Sequence, residues 1–146
     1  MFNLEKARKI KPYPKITVDA IILIDKDSIV LIKRKNPPFK DYWAIPGGFV
    51  ELGETLENAV MREAKEETSL DIRPIKILNV YSDPNRDPRG HIITVAYMCE
   101  KIGGTLKANS DARDIKIFKK NAIKDIQLAF DHAKILKDYY KSLKEA

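Results

Sequence analysis

The chain is 146 residues long, 44% hydrophobic and 33% charged, with 8 Pro, 6 Gly and a single Cys. That length corresponds to one domain, at roughly 100–200 residues each, and the apolar content is too high for a disordered chain. No apolar run approaches the ~18 residues of a membrane span, and the charged start MFNLEKARKIKPYPK lacks the apolar stretch of a secretory signal, so a soluble, cytoplasmic protein is expected.

Lys and Arg number 27 against 21 Asp and Glu, a net +6, which suits an anionic partner without choosing among a nucleotide, a nucleic acid and an acidic membrane surface. Cys99 stands alone in HIITVAYMCE and reads as a buried thiol rather than part of a disulfide or metal site.

Residues 1–14 form a basic, proline-broken lead-in, an N-terminal extension to a single domain over 1–146. Ile16–Ile24 and Ser28–Lys35 are β-branched runs separated by Asp25-Lys26-Asp27, the pattern of a hairpin. NPPFKDYW is expected to be a loop, because adjacent prolines exclude a helix interior, and AIPGGFVELGE a short extended piece with glycine turns. Thr55 is a candidate N-cap for a helix over LENAVMREAKEET, although Asn58 stands where a capping box would have Glu.

Asp71–Ser82 and His91–Glu100 read as two strands joined by the turn-rich DPNRDPRG. KIGGTLKANSD reads as a connector, Ala112–Lys120 as a strand, and NAIKDI as a turn or short helical piece. From about Ala129 the apolar residues Ala133, Leu136, Tyr140 and Leu143 recur at helical spacing. Hairpins mixed with two helices predict an α/β (α+β) fold, a mixed sheet flanked by helices.

The first helix carries the chemistry. Gly48–Leu70 holds six Glu against Arg62 and Lys65, a concentrated acidic segment in a basic chain. At about 100° per residue, Glu63, Glu66 and Glu67 continue the stripe of Leu56, Ala59, Val60 and Leu70, whereas Met61, Lys65 and Thr68 lie on the other side. Three carboxylates on one face repel one another, and burial makes each charge costlier. A hard divalent cation would compensate, since Mg²⁺ takes oxygen ligands. The alternative is a like-charge row tolerated at the surface at about 0.2–0.5 kcal/mol per pair. Arg62 can reach Glu66 or Glu54 and reads as a clamp. Gly47 and Gly48 either let the backbone approach a helix or ligand closely or form an ordinary turn.

The stretch GFVELGETLENAVMREAKEETSL resembles the Nudix hydrolase signature at Gly48, Glu54, Arg62, Glu63, Ala64, Glu66, Glu67, Ser69 and Leu70. Ala64 is smaller than the usual aliphatic residue, and Ser69 replaces the glycine that ends the helix. The resemblance implies that Glu63, Glu66 and Glu67 bind Mg²⁺ or Mn²⁺, that Glu54 and Arg62 brace loop and helix, and that Gly48 opens the motif beside the substrate. It implies a sheet sandwiched between helices and cleavage of a nucleoside diphosphate linked to another group. A carboxylate on a later loop serves several family members as base or extra ligand. Asp111 occupies that connector here, with Asp114 in reserve, and either is equally a loop-capping Asp.

YSDPNRDPRGH is similar to the corresponding segment of ADP-ribose pyrophosphatases, with Pro84 in the place that marks the subgroup. Arg86 and Arg89, or Lys33 and Arg34, could grip phosphate or ribose, or the two former could pair with Asp83 and Asp87. Trp43, Phe39 and Tyr42 read as packing rather than as an adenine platform, and His91 and His132 as structural. The expected activity is metal-dependent hydrolysis of ADP-ribose to AMP and ribose 5-phosphate. The alternatives are a broader pyrophosphohydrolase of dinucleotides, nucleotide sugars or oxidised nucleotides, and a non-enzymatic basic module binding nucleotide or nucleic acid. The expected partner is a small nucleoside diphosphate derivative, not nucleic acid or a membrane, with a homodimer left open.

Overall fold

Val, Ile and Leu crowd positions 16–32. In the computed structural model, which describes residues 13–108 and 112–145, they form the hairpin of β1 (Lys15–Asp25) and β2 (Ser28–Arg34). At its turn the Asp27 N–H donates to Asp25 Oδ1 at 2.9 Å. The remaining elements are β3 (Trp43–Ala44), β4 (Gly47–Phe49), α1 (Leu56–Thr68), β5 (Leu70–Tyr81), β6 (Ile92–Gly104), β7 (Ala112–Lys119), α2 (Lys120–Ile123) and α3 (His132–Lys144).

The seven strands make one mixed sheet in the order β3-β2-β1-β6-β5, with β4 also on β1 and β7 also on β2. β1 and β6 run parallel from Lys15↔Ile92 to Leu23↔Glu100, and β5 and β6 form the expected antiparallel hairpin across residues 82–91. Two expectations need correcting. β6 continues to Gly104, into the expected connector, because Leu70 and Asp71 offer it backbone partners. Trp43, expected to end a loop, instead joins Ala44 in a short strand, since β2 pairs them on one side and Leu128 bridges Trp43 on the other.

Side chains alternate across a strand, so β1 feeds both faces. Val18, Ala20 and Ile22 pack with Ala59, Val60 and Ala64 of α1. Ile21 packs with Ile29, Leu31 and the α3 residues Ile135, Leu136 and Tyr139. The sheet is therefore sandwiched between helices, each fully buried aliphatic side chain contributing about 1.5–3 kcal/mol. Cys99 lies in the α1 layer, where burial pushes its thiol up to about 12, as suits an inert core residue.

Helix α1 begins as expected, Thr55 Oγ1 accepting the Asn58 N–H at 3.1 Å. Its end differs from glycine-based expectation: Ser69 itself adopts the left-handed conformation (φ 65°) and donates its N–H to the Lys65 carbonyl at 3.0 Å. Thr68, placed by helical angle on the outer side, is buried because the chain turns into β5. Its hydroxyl donates to the Ala64 carbonyl at 2.6 Å and accepts the Leu70 N–H at 3.1 Å. Among the described residues, no helix is long and apolar enough to cross a membrane.

Candidate active site

Strand β4 threads between β1 and α1, pairing Val18↔Gly48 and Asp19↔Gly47. Neither glycine has positive φ, a property found instead at Gly53, Gly90 and Gly104, so their role is close approach. A Cβ on Gly48 would lie 2.5 Å from Glu63 Cδ and Oε1, and one on Gly47 would run into the Val18 carbonyl and the Asp19 carboxyl. The Glu63 carboxyl thus rests on the Gly48 backbone. Gly48→Ala should displace it and lower metal-dependent turnover by about 10- to 100-fold with little change in melting temperature. Wild-type kinetics in that variant would refute this cradle.

Arg62 organises the acids. Its Nε and Nη2 grip Glu54 at 2.7 and 2.9 Å, Nη2 also donates to the Phe49 carbonyl at 3.0 Å, and Nη1 reaches Glu63 at 2.9 Å and Glu66 at 3.2 Å. Those hydrogen bonds, with one from the Glu51 amide, hold the Glu54 carboxyl down to about 2. The three-carboxylate stripe is uneven: Glu67 is buried, Glu63 mostly buried, and Glu66 is an exposed residue turned toward Arg62. Burial raises the Glu63 pKa against the pull of Arg62, and its carboxyl is hydrogen-bonded to that of Glu67. Two acids in such contact need a proton or another cation between them.

Among the described residues, no three His, Cys, Asp or Glu side chains converge as a ready metal cage. Glu63 and Glu67 stand together and Glu66 is held aside by Arg62. The oxygen-only donor set and the crowded, partly buried pair suit a hard divalent cation.

A cleft of about 440 Å³ opens over these acids. Its lining includes Glu63, Glu67, Gly48 and Glu51 together with Arg34, Arg89 and Phe130. The Arg89 guanidinium lies 5.1 Å from the ring centres of both Phe49 and Phe130, and that of Arg34 4.9 Å from Phe130. Arg89 also pairs with buried Asp87 at 2.8 Å, as Asp–Arg pairing in this loop anticipated. Arg86 pairs with neither Asp83 nor Asp87. Although it borders the cleft, both arms of its fork grip Asp131, at 2.6 and 2.8 Å.

Lys33 lies over Trp43, 5.7 Å from the ring centre. Phe39 packs edge-on against Tyr42 and Phe130, and Trp43 against Phe118, as packing residues would. His91 is exposed, its Nε2 3.2 Å from the Ser82 carbonyl. Asp111 lies outside the described residues. Asp114 is exposed on β7, accepts the Ile115 N–H at 2.8 Å and is absent from the cleft lining.

Sequence reasoning did not select Asp19, Glu51, Phe49 or Phe130 as cleft residues, and it took His132 as structural. A signal existed for Asp19, the one acid inside ITVDAIILI; none marked Phe130, which lies far from the acidic helix in sequence. Asp19 and His132 are both buried on the cleft floor, with His132 Nε2 3.6 Å from Asp19 Oδ2. Burial pushes the Asp19 carboxyl up to about 7 and the His132 imidazole down to about 3, so between those values this is an uncharged contact.

An unfolded chain releases the Asp19 carboxyl proton near the ordinary 3.8, the folded one near 7. Asp19 therefore favours folding below about pH 4 and loses that advantage as pH rises toward 7. Between pH 5 and 8 the wild-type melting temperature should fall relative to Asp19→Asn by roughly 5 °C or more. Parallel melting curves would contradict the shift.

A family model for the NUDIX domain matches residues 14–139. The ADP-ribose pyrophosphatase of Methanocaldococcus jannaschii is 51% identical over 142 residues, 93% of this chain and 82% of that protein. Among solved structures, the NUDIX domain of Shewanella oneidensis NrtR complexed with ADP ribose superposes with a TM-score of 0.79 at 27% identity, covering 98% of this chain and 99% of that one. A bifunctional NMN adenylyltransferase/ADP ribose pyrophosphatase from Francisella tularensis, complexed with AMP and a Mn ion, gives 0.78 at 27% identity, covering 94% of this chain and 45% of that one.

Proposed function

The chain belongs to the Nudix family, and from that premise we propose that its cleft hydrolyses the pyrophosphate bond of ADP-ribose, water adding to one phosphorus to release AMP and ribose 5-phosphate. The observation that carries this reading is one cleft lined both by the Glu63 and Glu67 carboxyls and by two guanidinium groups over the Phe130 ring. A ligand joining a planar base, two phosphates and a sugar needs both sets of groups. The 51% identity to an ADP-ribose pyrophosphatase and the ADP-ribose complex of a structural relative support the substrate.

Glu63, Glu66 and Glu67 would hold Mg²⁺ or Mn²⁺, which when bound neutralises phosphate oxygens and makes water a better nucleophile. Arg62 and Glu54 fix the start of this acidic face. Arg34 and Arg89 orient the diphosphate or sugar through their planar forks while the phenylalanines shield one side of the cleft. Arg86 contributes to the cleft by holding its loop to Asp131. Asp111 remains the candidate base from the β6–β7 connector, with Asp114 in reserve. A small-molecule partner rather than nucleic acid or membrane and a cytoplasmic location belong to the same proposal.

The test is product analysis by chromatography with Mg²⁺, Mn²⁺ or EDTA. ADP-ribose should yield equal AMP and ribose 5-phosphate only with a cation. Preference for an oxidised nucleoside triphosphate or a dinucleotide would favour a broader pyrophosphohydrolase. Saturable ADP-ribose binding without turnover under any cation would favour a ligand-binding module.

A further inference from the structure

His132 belongs to α3, yet it completes hydrogen bonding for a strand that leads to the acidic centre. The Trp43 N–H donates to the Gln127 carbonyl at 2.9 Å, and the Ala129 N–H to the Trp43 carbonyl at 2.8 Å. The next inward step of this ladder would need a carbonyl facing Ile45. The carbonyl next in that series, of Ala129, instead accepts the His132 N–H at 3.1 Å, as the chain turns through Phe130 in left-handed conformation (φ 51°) into α3. The Ile45 N–H instead donates to His132 Nδ1 at 3.0 Å, within a buried setting. A buried amide left without that acceptor would cost about 1–3 kcal/mol.

The bond fixes the tautomer, since an accepting Nδ1 leaves the proton on Nε2, which faces Asp19 Oδ2. Asp19 also accepts the Thr94 hydroxyl at 3.2 Å, and Gly47 packs against its carboxyl. One residue further on, the Ala20 N–H donates to the Pro46 carbonyl at 2.7 Å, and Gly48 then supports Glu63. A continuous set of contacts therefore runs from His132 through Ile45 to the surface beneath Glu63.

We propose that His132 is a positioning residue: its imidazole stands in for a missing strand carbonyl at Ile45, and so sets the height of the Gly47–Gly48 strand beneath Glu63. This rests on the reading that Glu63 helps hold the cation. An imidazole acting only as core filling would be replaced by a hydrophobic side chain of similar size without loss at the acidic face. One acting as an acceptor would be replaced by an amide.

The test compares His132→Leu with His132→Asn, whose side-chain oxygen can occupy the place of Nδ1, using Mn²⁺ titration followed by electron paramagnetic resonance. The Leu variant should bind Mn²⁺ about tenfold or more weakly, and the Asn variant should recover to within about threefold of wild type. Leu binding as wild type, or Asn no better than Leu, overturns the proposal. Should the Leu variant fail to fold, wild-type amide exchange decides. Mg²⁺ should slow exchange at Ile45 by about threefold or more, because coupling between sites is reciprocal, and an unchanged Ile45 rate overturns the proposal. A wild-type protein that binds no Mn²⁺ defeats the metal reading and this inference together. One that binds Mn²⁺ but does not cleave ADP-ribose defeats only the proposed activity.

Discussion

Glu67→Gln is expected to lower ADP-ribose turnover by about a hundred- to a thousandfold while leaving the melting temperature unchanged or raised. The two effects have one origin. Glu67 is buried, and its carboxyl is hydrogen-bonded to that of Glu63, itself raised by burial. Without a cation, that contact needs a proton between the two acids. The amide of Gln supplies an N–H to Glu63 and removes one of the crowded charges, so the fold gains or loses little. The same exchange removes an anionic oxygen from the donor set, and an amide oxygen is a poorer ligand for a hard cation. Activity and melting temperature measured on one preparation separate this from general damage. Unchanged turnover would remove Glu67 from the machinery, and a large drop in melting temperature would mean that its carboxylate is a structural partner.

That tension between repulsion and function was visible in the sequence because it is local. Glu63 and Glu67 lie one turn apart on a helix whose apolar stripe is equally local, so angular position alone placed both beside Leu56 and Val60. The β-branched runs exposed β1 and β2 for the same reason. Helical angle also placed Glu66 inward, yet it sits at the stripe's edge, where Arg62 and solvent compete for it. Thr68 shows the opposite error: the turn into β5 buries a residue that an indefinitely continued helix would expose. Neither the two-residue strand β3 nor the acceptor role of His132 has a local signature, because each depends on a partner brought back by the end of the chain. A short segment becomes a strand when neighbours supply edges on both sides, and no periodicity within Trp43–Ala44 could announce Leu128.

The arginines of the 82–91 loop show how partner choice decides role. Arg86 and Arg89 are three residues apart and alike in sequence context, but the Arg86 side chain is only 5% exposed and that of Arg89 36%. Arg86 spends its fork on both Asp131 oxygens, and its Nη1 donates to the Ile92 carbonyl at 3.3 Å. Asp131 consequently makes no side-chain cap to α3, whose first residue it precedes.

Arg86→Ala should therefore destabilise the protein by about 3–5 kcal/mol, the usual cost of stranding one member of a buried ion pair. For a chain of this length that is roughly 10 °C in melting temperature. Arg86→Lys should recover only part, since one ammonium cannot reproduce two parallel N–H bonds. Arg89→Ala should instead raise KM for ADP-ribose by about tenfold, because its partly exposed guanidinium reaches the cleft over Phe49 and Phe130, and should also lower the melting temperature, because it strands the buried Asp87 carboxyl. Thermal melting and steady-state kinetics on the two alanine variants distinguish clamp from ligand. A normal melting temperature with a raised KM in Arg86→Ala would mean that the substrate, not Asp131, is the partner its fork was built for.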